Sequence, residues 1–356
     1  MTDARPPSAD LRIADFDYDL PSSLIAQTPL EPRDASRLMV VERSTGRWHH
    51  AALRDLPSWL QPGDLLVANN SRVLPARLQA TRPDTGGKVE LLLLSRIGDG
   101  RWTALAKPSR RLRPGSRLVL HRLDNSQPAA GLAVTGIGDA GQVEICFDDG
   151  DRVPLEKFGT VPLPPYIRTP LADPERYQTL YATVPGSAAA PTAGLHVTPA
   201  LRERLRARGV GWAEVTLHVG LDTFRPVTAE TVGEHVIHQE WCEVPEVTAR
   251  DIAATRARGG RVIALGTTSA RTLETMGVTG KLNHGDGFGG WTDLFIVPGH
   301  RWQIVDGLLT NFHLPRSSLL LLVSALIDWP QLRAAYEEAI TQEYRFFSFG
   351  DAMLIV

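Results

Sequence analysis

Seven short apolar segments follow one another between residues 65 and 147: Leu65–Ala68, Val73–Ala80, Val89–Leu94, Trp102–Ala106, Arg117–Leu120, Leu132–Ile137 and Val143–Phe147. Turn clusters separate them, among them Thr85-Gly86-Gly87, Gly98-Asp99-Gly100, Pro114-Gly115, Gly138 to Gly141 and Asp148 to Gly150. Short strands with regular turn signals constrain this stretch, about residues 66–154, to a small all-β barrel or sandwich.

The flanks have other textures. Residues up to about 65 mix short helical and strand signals, and from about 155 onward helices and strands alternate. Thr198 followed by Pro199 predicts a helix start, a capping hydroxyl and then a proline whose missing N–H costs nothing. Leu201 and Leu205 lie one turn apart, Gly209 ends the helix, and Trp212–Val219 reads as the next strand. Thr248 with Asp251 predicts the cap of a second helix, stopped by Gly259-Gly260. Arg261–Leu265 is then a strand turning through Gly266-Thr267-Thr268-Ser269 into a helix, and Leu294–Val297 is a further strand. Ser317–Ile327 and Gln331–Tyr344 read as closing helices, and the Gly-rich Lys281–Gly290 as a mobile loop. This alternation argues an α/β domain, and 356 residues suffice for about two domains.

Composition excludes several classes. A formal net charge of −2 provides no global basic field of the histone kind, although it leaves room for a local patch. Cys146 and Cys242, 96 positions apart, form neither a disulfide framework nor a Cys-rich zinc site, which suits a reducing compartment. Met1–Asp19 is polar, without the apolar core of a secretory signal. The longest apolar stretch, around Leu319–Ile327, falls short of the ~20 residues that span a bilayer. A cytoplasmic protein without membrane contact is expected.

Two stretches match the dinucleotide glycine pattern, Gly136–Gly141 and Gly285–Gly290, but neither stands between a strand and a helix, so they read as a hairpin turn and a loop. His235, His238 and Glu240 form the nearest approach to a metal cluster, yet their spacing matches no common zinc motif, and a polar catalytic or binding cluster is the better reading. Pro191–His196 places small residues before the Thr198 cap, and Gly266–Ser269 repeats that logic after a strand; either turn offers helix N–H groups to an anion. His218-Val-Gly220-Leu-Asp-Thr223-Phe224 follows a strand, where α/β folds bind ligands, and Asn311-Phe312-His313 precedes the apolar helix. Any one of these histidines is most simply a core residue. Five in one domain (His196, His218, His235, His238 and His313) favour a shared site. Six basic residues and no acid occupy Arg101–Arg117, a patch that suits phosphate binding. Arg202, Arg204, Arg206 and Arg208 fan around their helix and make no single patch.

Longer motifs add a resemblance. Asp15–Pro21, Asn70–Arg77, Leu163–Ile167, Tyr177–Ala182, Ala190–His196, Gly266–Glu274, Asp306–Pro315 and Tyr344–Met353 together resemble, in order and over nearly the whole chain, the S-adenosylmethionine:tRNA ribosyltransferase-isomerase family of queuosine biosynthesis. The resemblance implies a main α/β domain, 1–65 and 155–356, interrupted by a small all-β barrel domain, 66–154. It also implies transfer of the ribosyl part of S-adenosylmethionine to 7-aminomethyl-7-deazaguanine at the tRNA wobble position, giving epoxyqueuosine with loss of adenine and methionine. S-Adenosylmethionine is then a consumed co-substrate, no cofactor or metal is required, and the chain is expected to act as a monomer. The proton transfers suit histidine, so His196, His313, His218, His235 and His238 are the catalytic candidates. Thr192, Gly194, Gly220, Thr223, Phe224, Glu240, Gly266, Thr267, Thr268, Arg271, Asn311 and Phe312 are expected to bind substrate. Lys107, Arg110, Arg111 and Arg113 are expected to bind tRNA. A non-catalytic RNA-binding module and a conventional methyltransferase are the rival classes. The dense polar motifs outside the β-rich stretch oppose the first, and the identity of the small products separates all three.

Overall fold

The computed structural model describes residues 10–124, 126, 129–220, 229–237, 239–280 and 285–356. The chain divides into two compact units, a larger one of Met1–Arg72, Pro165–Val184 and Ala190–Val356, and a smaller one of Val73–Pro164 with Pro185–Ala189. The breaks expected at 65/66 and 154/155 fall at 72/73 and 164/165, because Leu65–Asn69 is a strand of the larger unit's sheet and Gly159–Thr160 pairs with Leu78 and Arg77 in the smaller unit. In chain order the strands are β1 (Arg37–Val41), β2 (Trp48–Ala52), β3 (Leu65–Asn69), β4 (Ser71–Val73), β5 (Arg77–Thr81), β6 (Lys88–Gly98), β7 (Arg101–Lys107), β8 (Arg117–Leu120), β9 (Ala130–Ile137), β10 (Gln142–Phe147), β11 (Gly159–Thr160), β12 (Val184–Ser187), β13 (Gly211–Leu217), β14 (Glu240–Val244), β15 (Val262–Leu265), β16 (Phe288–Thr292), β17 (Gly307–Asn311) and β18 (Ala352–Ile355). The helices are α1 (Leu56–Trp59), α2 (Pro199–Ala207), α3 (Glu246–Ala257), α4 (Thr267–Val278), α5 (Ser318–Ser324) and α6 (Trp329–Thr341).

In the smaller unit β5-β6-β7-β10-β9-β8 form an antiparallel barrel, closed where Ala80 and Thr81 of β5 meet Leu120 and Val119 of β8. Period-two alternation sends Leu78, Leu91, Leu118, Leu132, Val143 and Ile145 to the interior, and closure removes the exposed edges an open sheet would leave. The β6–β7 turn needs Gly100, which has φ +63°, and a Cβ there would stand 2.4 Å from the Cα of Gly150. The Gly136–Gly141 stretch is the β9–β10 turn, with the Gly138 N–H donating to the Gln142 carbonyl at 2.8 Å.

The larger unit is built on a sheet of order β16-β14-β13-β3-β15-β17-β18-β1-β2. Strands β13, β3, β15 and β17 run parallel. β18 is antiparallel to β17 and parallel to β1, and β2, β14 and β16 complete antiparallel flanks. β3, β15, β17 and β18 are buried along their whole length, as strands covered on both faces must be. On one face Val67, Ala264 and Leu308 pack with Ile252 of α3 and Leu273 and Met276 of α4. On the other, Leu66, Ile263 and Leu265 pack with Leu56 of α1 and Leu201 and Leu205 of α2.

α2 starts where the sequence predicts, with the Thr198 hydroxyl accepting the Leu201 N–H at 3.1 Å. Two other expectations are corrected. Thr248 is not a cap: α3 begins after Pro245, and Thr248 is buried inside it, its hydroxyl donating to the Glu214 carbonyl at 2.7 Å. Leu294–Val297 is not a strand, since the Leu294 carbonyl accepts from the Arg271 guanidinium at 3.0 Å instead of from a neighbouring strand. The strand lies earlier, where Phe288–Gly290 of the expected loop, with Trp291 and Thr292, pairs along β14 as β16. Residues 281–284 of that loop lie outside the described residues. No helix among the described residues is long and apolar enough to cross a membrane.

One buried charge ties α4 to the segment entering β17. Glu274 is inaccessible to solvent and accepts from the N–H groups of Gln303, Ile304 and Val305 at 2.8–2.9 Å and from His300 Nε2 at 3.0 Å. Burial by itself raises the carboxyl pKa, but His300 and the three N–H groups outweigh it and hold Glu274 below its ordinary value of 4.5. A depressed folded-state pKa contributes stability that is complete above the unfolded value and is lost as pH falls through the folded one. Glu274→Ala strands these donors, so we expect a loss of about 3 kcal/mol in denaturant unfolding at pH 7. The difference between variant and wild type should shrink as pH falls below the unfolded value of 4.5 and through the lower folded one.

Candidate functional site at the carboxyl ends of the parallel strands

Because β13, β3, β15 and β17 run parallel, their carboxyl ends open on one side of the sheet, where α/β folds bind ligands. That edge carries His218 after β13, Asn69 at the end of β3, Gly266 after β15, and Asn311 with His313 at the end of β17. Asn69 is buried and knits the first two together. Its amide donates to the Leu217 carbonyl at 3.0 Å, and its Oδ1 accepts from the Leu217 and Ser71 N–H groups at 3.1 Å. Its signal in the sequence was a polar residue closing an otherwise apolar strand, next to the Asn70–Arg77 motif.

His196 and Asn311 meet in a buried chain of hydrogen bonds. The Thr192 hydroxyl donates to Asn311 Oδ1 at 3.0 Å, Asn311 Nδ2 faces His196 Nε2 at 3.1 Å, and His196 Nδ1 faces the Ser36 hydroxyl at 2.9 Å. Since Oδ1 accepts from Thr192, Nδ2 must donate to His196, so the imidazole proton resides on Nδ1 and is given to Ser36. Burial pushes His196 down to about 4, so the ring is neutral at pH 7 and engaged at both nitrogens. Ser36 was not anticipated. His313 is deeper still: Nε2 lies 2.8 Å from the Thr310 hydroxyl, its N–H donates to Tyr336, its carbonyl accepts from Tyr18, and burial pushes it down to about 3.

His218 differs from both. It is half-buried, its Nδ1 is enclosed without a hydrogen-bond partner among the described residues, and burial holds it below the ordinary histidine value. Its N–H donates to the Trp241 carbonyl at 3.0 Å. At the neighbouring end of β15, Gly266 has φ +90° and leads into α4, whose first-turn N–H groups have no intrahelical acceptor. Thr267 is buried, and the buried Thr268 hydroxyl oxygen also lacks a partner among the described residues.

The remaining candidates divide. Gly220, Glu240 and Arg271 come together: Glu240 Oε1 accepts the Gly220 N–H at 2.8 Å, and Oε2 pairs with Arg271, which also donates to the Leu294 and Thr292 carbonyls at 3.0 Å. His235 packs edge-on to Phe295 with centroids 5.2 Å apart. The described residues contain no group of three or more metal-type ligands, and the Glu240 carboxylate is committed to Gly220 and Arg271. Phe312 lies in the aromatic core. It is fully buried among Tyr336, Tyr344 and Phe346 at 5.0–5.5 Å. Gly194 is small for a packing reason, since a Cβ there would come 2.0 Å from the Tyr181 hydroxyl. Thr223, Phe224 and His238 lie outside the described residues. In the smaller unit Lys107, Arg110, Arg111 and Arg113 are exposed and have no carboxylate partner among the described residues. In contrast Arg77, Arg96, Arg101 and Arg117 of the same unit each pair with an acid.

A cleft of about 480 Å³ elsewhere in the larger unit has none of these candidates in its lining. Its arginines are already engaged, Arg72 with Glu175, Arg176 with Glu31, and Arg33 with the Gln178, Leu195 and Glu175 carbonyls.

A parallel sheet with neutral histidines and an open helix N-terminus at its carboxyl ends defines an α/β protein with polar groups gathered at the edge where such folds bind ligands. Residues 13–355 match the family model described as queuosine biosynthesis protein. A protein of Symbiobacterium thermophilum named S-adenosylmethionine:tRNA ribosyltransferase-isomerase is 52% identical, covering 97% of this chain and all of that protein. One of the same name from Moorella thermoacetica is 49% identical over equal shares. The crystal structure of an S-adenosylmethionine tRNA ribosyltransferase from Thermotoga maritima superposes with a TM-score of 0.56 at 40% identity, covering 96% of this chain and all of that one. The chain belongs to the queuosine biosynthesis protein family.

The histidine geometry sets a pH dependence. A histidine whose folded pKa lies below its unfolded 6.5 binds fewer protons folded than unfolded in between, so stability falls as pH falls through that window. From pH 7 to pH 5, His313 should cost about 2 kcal/mol of stability. Calorimetric melting temperatures measured against pH should decline more steeply in the wild type than in His313→Gln. Equal slopes would contradict a neutral, buried ring.

Proposed function

We propose that this chain transfers and isomerises the ribosyl moiety of S-adenosylmethionine onto 7-aminomethyl-7-deazaguanine at the wobble position of tRNA, forming epoxyqueuosine and releasing adenine and methionine. The observation that carries this reading is identity of about half, along the full length, to proteins named for that activity. Acting on tRNA, it works in the cytoplasm, and neither metal nor redox centre enters the scheme.

The roles follow from the site. The sulfonium acidifies the adjoining 5′ carbon, and a base must take that proton. His218 is the best placed of the described histidines: neutral at pH 7 through burial, with a ring nitrogen that nothing in the described protein occupies. The first turn of α4, with the enclosed Thr268 hydroxyl, suits the methionine carboxylate. His196 acts as a positioning residue, holding Asn311 and through it the Thr192 turn. The exposed cations of the β7–β8 connection, Lys107, Arg110, Arg111 and Arg113, suit the phosphate backbone of tRNA.

The small products test the reaction. Incubation with S-adenosylmethionine and tRNA carrying the 7-aminomethyl base, with a chelator present, should yield adenine and methionine by mass spectrometry. S-Adenosylhomocysteine instead would make the protein a methyltransferase. In the same assay His218→Ala should reduce turnover by about 100-fold or more without lowering the melting temperature. Near-normal turnover by the folded variant would remove His218 from the proton transfer.

For the tRNA contact, Arg110, Arg111 and Arg113 should be neutralised together. Affinity for tRNA should drop while that for S-adenosylmethionine holds, and the log–log salt slope should flatten by roughly 0.7–0.9 per lost phosphate contact. An unchanged slope would make the patch an ordinary solvated face.

A further inference from the structure

The cleft of about 480 Å³ in the larger unit falls within the size range of small-molecule sites. Its walls carry three guanidinium groups, Arg33, Arg72 and Arg176, and three carboxylates, Glu31, Asp173 and Glu175. Four of these six groups close on one another, Arg72 with Glu175 at 2.5 Å and Arg176 with Glu31. The other two do not. Arg33 donates only to the backbone carbonyls of Gln178, Leu195 and Glu175, at 2.7–3.3 Å, so its hydrogen bonds are made but its charge has no ion-pair partner among the described residues. The Asp173 carboxylate accepts the Glu175 N–H at 2.9 Å and likewise forms no ion pair among the described residues.

Thr179 adds a third group. It is only 4% exposed, it lines the cleft, and its hydroxyl has no hydrogen-bond partner among the described residues. Buried hydroxyls are nearly always bonded, so one left over in a cleft wall points to a partner that is not part of the chain. Arg33 and Arg176 also line a narrow recess with Ser36 and His196, so the cleft adjoins the hydrogen-bonded chain that runs on to Asn311 and Thr192.

The balance of charge selects the occupant. A phosphate or other pure anion meets three carboxylates, and a metal ion or polyamine meets three guanidinium groups. A molecule with a carboxylate and an ammonium on one carbon answers both unpaired groups, its carboxylate toward Arg33 and its ammonium toward Asp173. Leu180, 55% exposed, continues the wall with Ala182 as a short apolar stretch for the rest of such a molecule. We propose that this cleft binds the zwitterionic head group of an α-amino acid with an apolar or thioether side chain. The choice of methionine as that amino acid rests on the ribosyl-transfer reading above; the preference for a zwitterion does not.

The test is calorimetric titration of the full-length protein, which needs no turnover. The wild type should bind L-methionine. Methionine methyl ester, which lacks the carboxylate, and the α-hydroxy analogue, which lacks the ammonium, should each bind at least about tenfold more weakly. Asp173→Asn, which keeps an acceptor for the Glu175 N–H, and Thr179→Val should each weaken methionine binding about tenfold without lowering the melting temperature. Titration with S-adenosylmethionine identifies the source of the head group. Unchanged affinity in both variants assigns the cleft to free methionine, and a parallel loss assigns it to the methionine part of S-adenosylmethionine, in place of the α4 turn. Wild-type affinities for both compounds in the folded Asp173→Asn and Thr179→Val variants overturn the proposal. So does a methyl ester that binds as tightly as methionine, or a wild type that binds neither compound. If methionine binds as expected but no adenine is released in the product assay, the cleft stands and the ribosyl-transfer reading falls alone.

Discussion

The common direction of β13, β3, β15 and β17 is the constraint on which the rest of the larger unit depends. Parallel strands require crossovers, crossovers cover both faces, and a sheet covered on both faces can present polar groups only at its ends. Asn69, His218, Gly266 and Asn311 occupy that edge, where the apolar strands hand over to turns. The hydrogen-bond chain from Thr192 through Asn311 and His196 to Ser36 then fastens the 192–196 turn to β17.

Burial sorts the histidines into roles that their sequence positions do not reveal. His313 shares the aromatic core with Tyr18 and Tyr336, and His196 is spent at both nitrogens, so each is held neutral for the sake of packing. His218, half-buried at the rim, is also neutral but keeps an unused nitrogen. Low basicity accompanies full burial in His196 and His313 and half-burial in His218, and only the last keeps a ring nitrogen without a protein partner among the described residues.

Much of this was legible in the sequence, for physical reasons. The barrel strands announce themselves because they alternate in burial and most end in glycine or proline turns, and the Thr198–Pro199 cap sets α2 by local chemistry alone. What local pattern cannot show is where a non-local partner takes over. Thr248 has the look of a cap, yet the Glu214 carbonyl claims its hydroxyl. Leu294–Val297 has strand-like composition, yet Arg271 claims its first carbonyl, and the glycines before it pair as β16 because β14 offers an open edge. In the site, Gly194 and Phe312 stand within ligand-like motifs but answer to Tyr181 and to the aromatic core. Ser36 and Asn69 escape notice because single polar residues beside apolar runs are common, and only the fold brings them to a partner.

The register of the sheet also bears on how the chain is made. The barrel strands pair within residues 77–160, so that module can close soon after it leaves the ribosome. β1 cannot: Leu38 to Val41 pair on one side with β2, and on the other with Ala352 to Ile355. At synthesis rates of about 5–20 residues per second, that second partner arrives roughly 15–60 s later. Throughout that interval a strand that is apolar from Leu38 to Val41 has one open edge, an arrangement prone to pairing with a neighbouring nascent chain. β1 therefore waits longer than any other strand of the large sheet for its second partner, until β18 takes its place between β17 and β1.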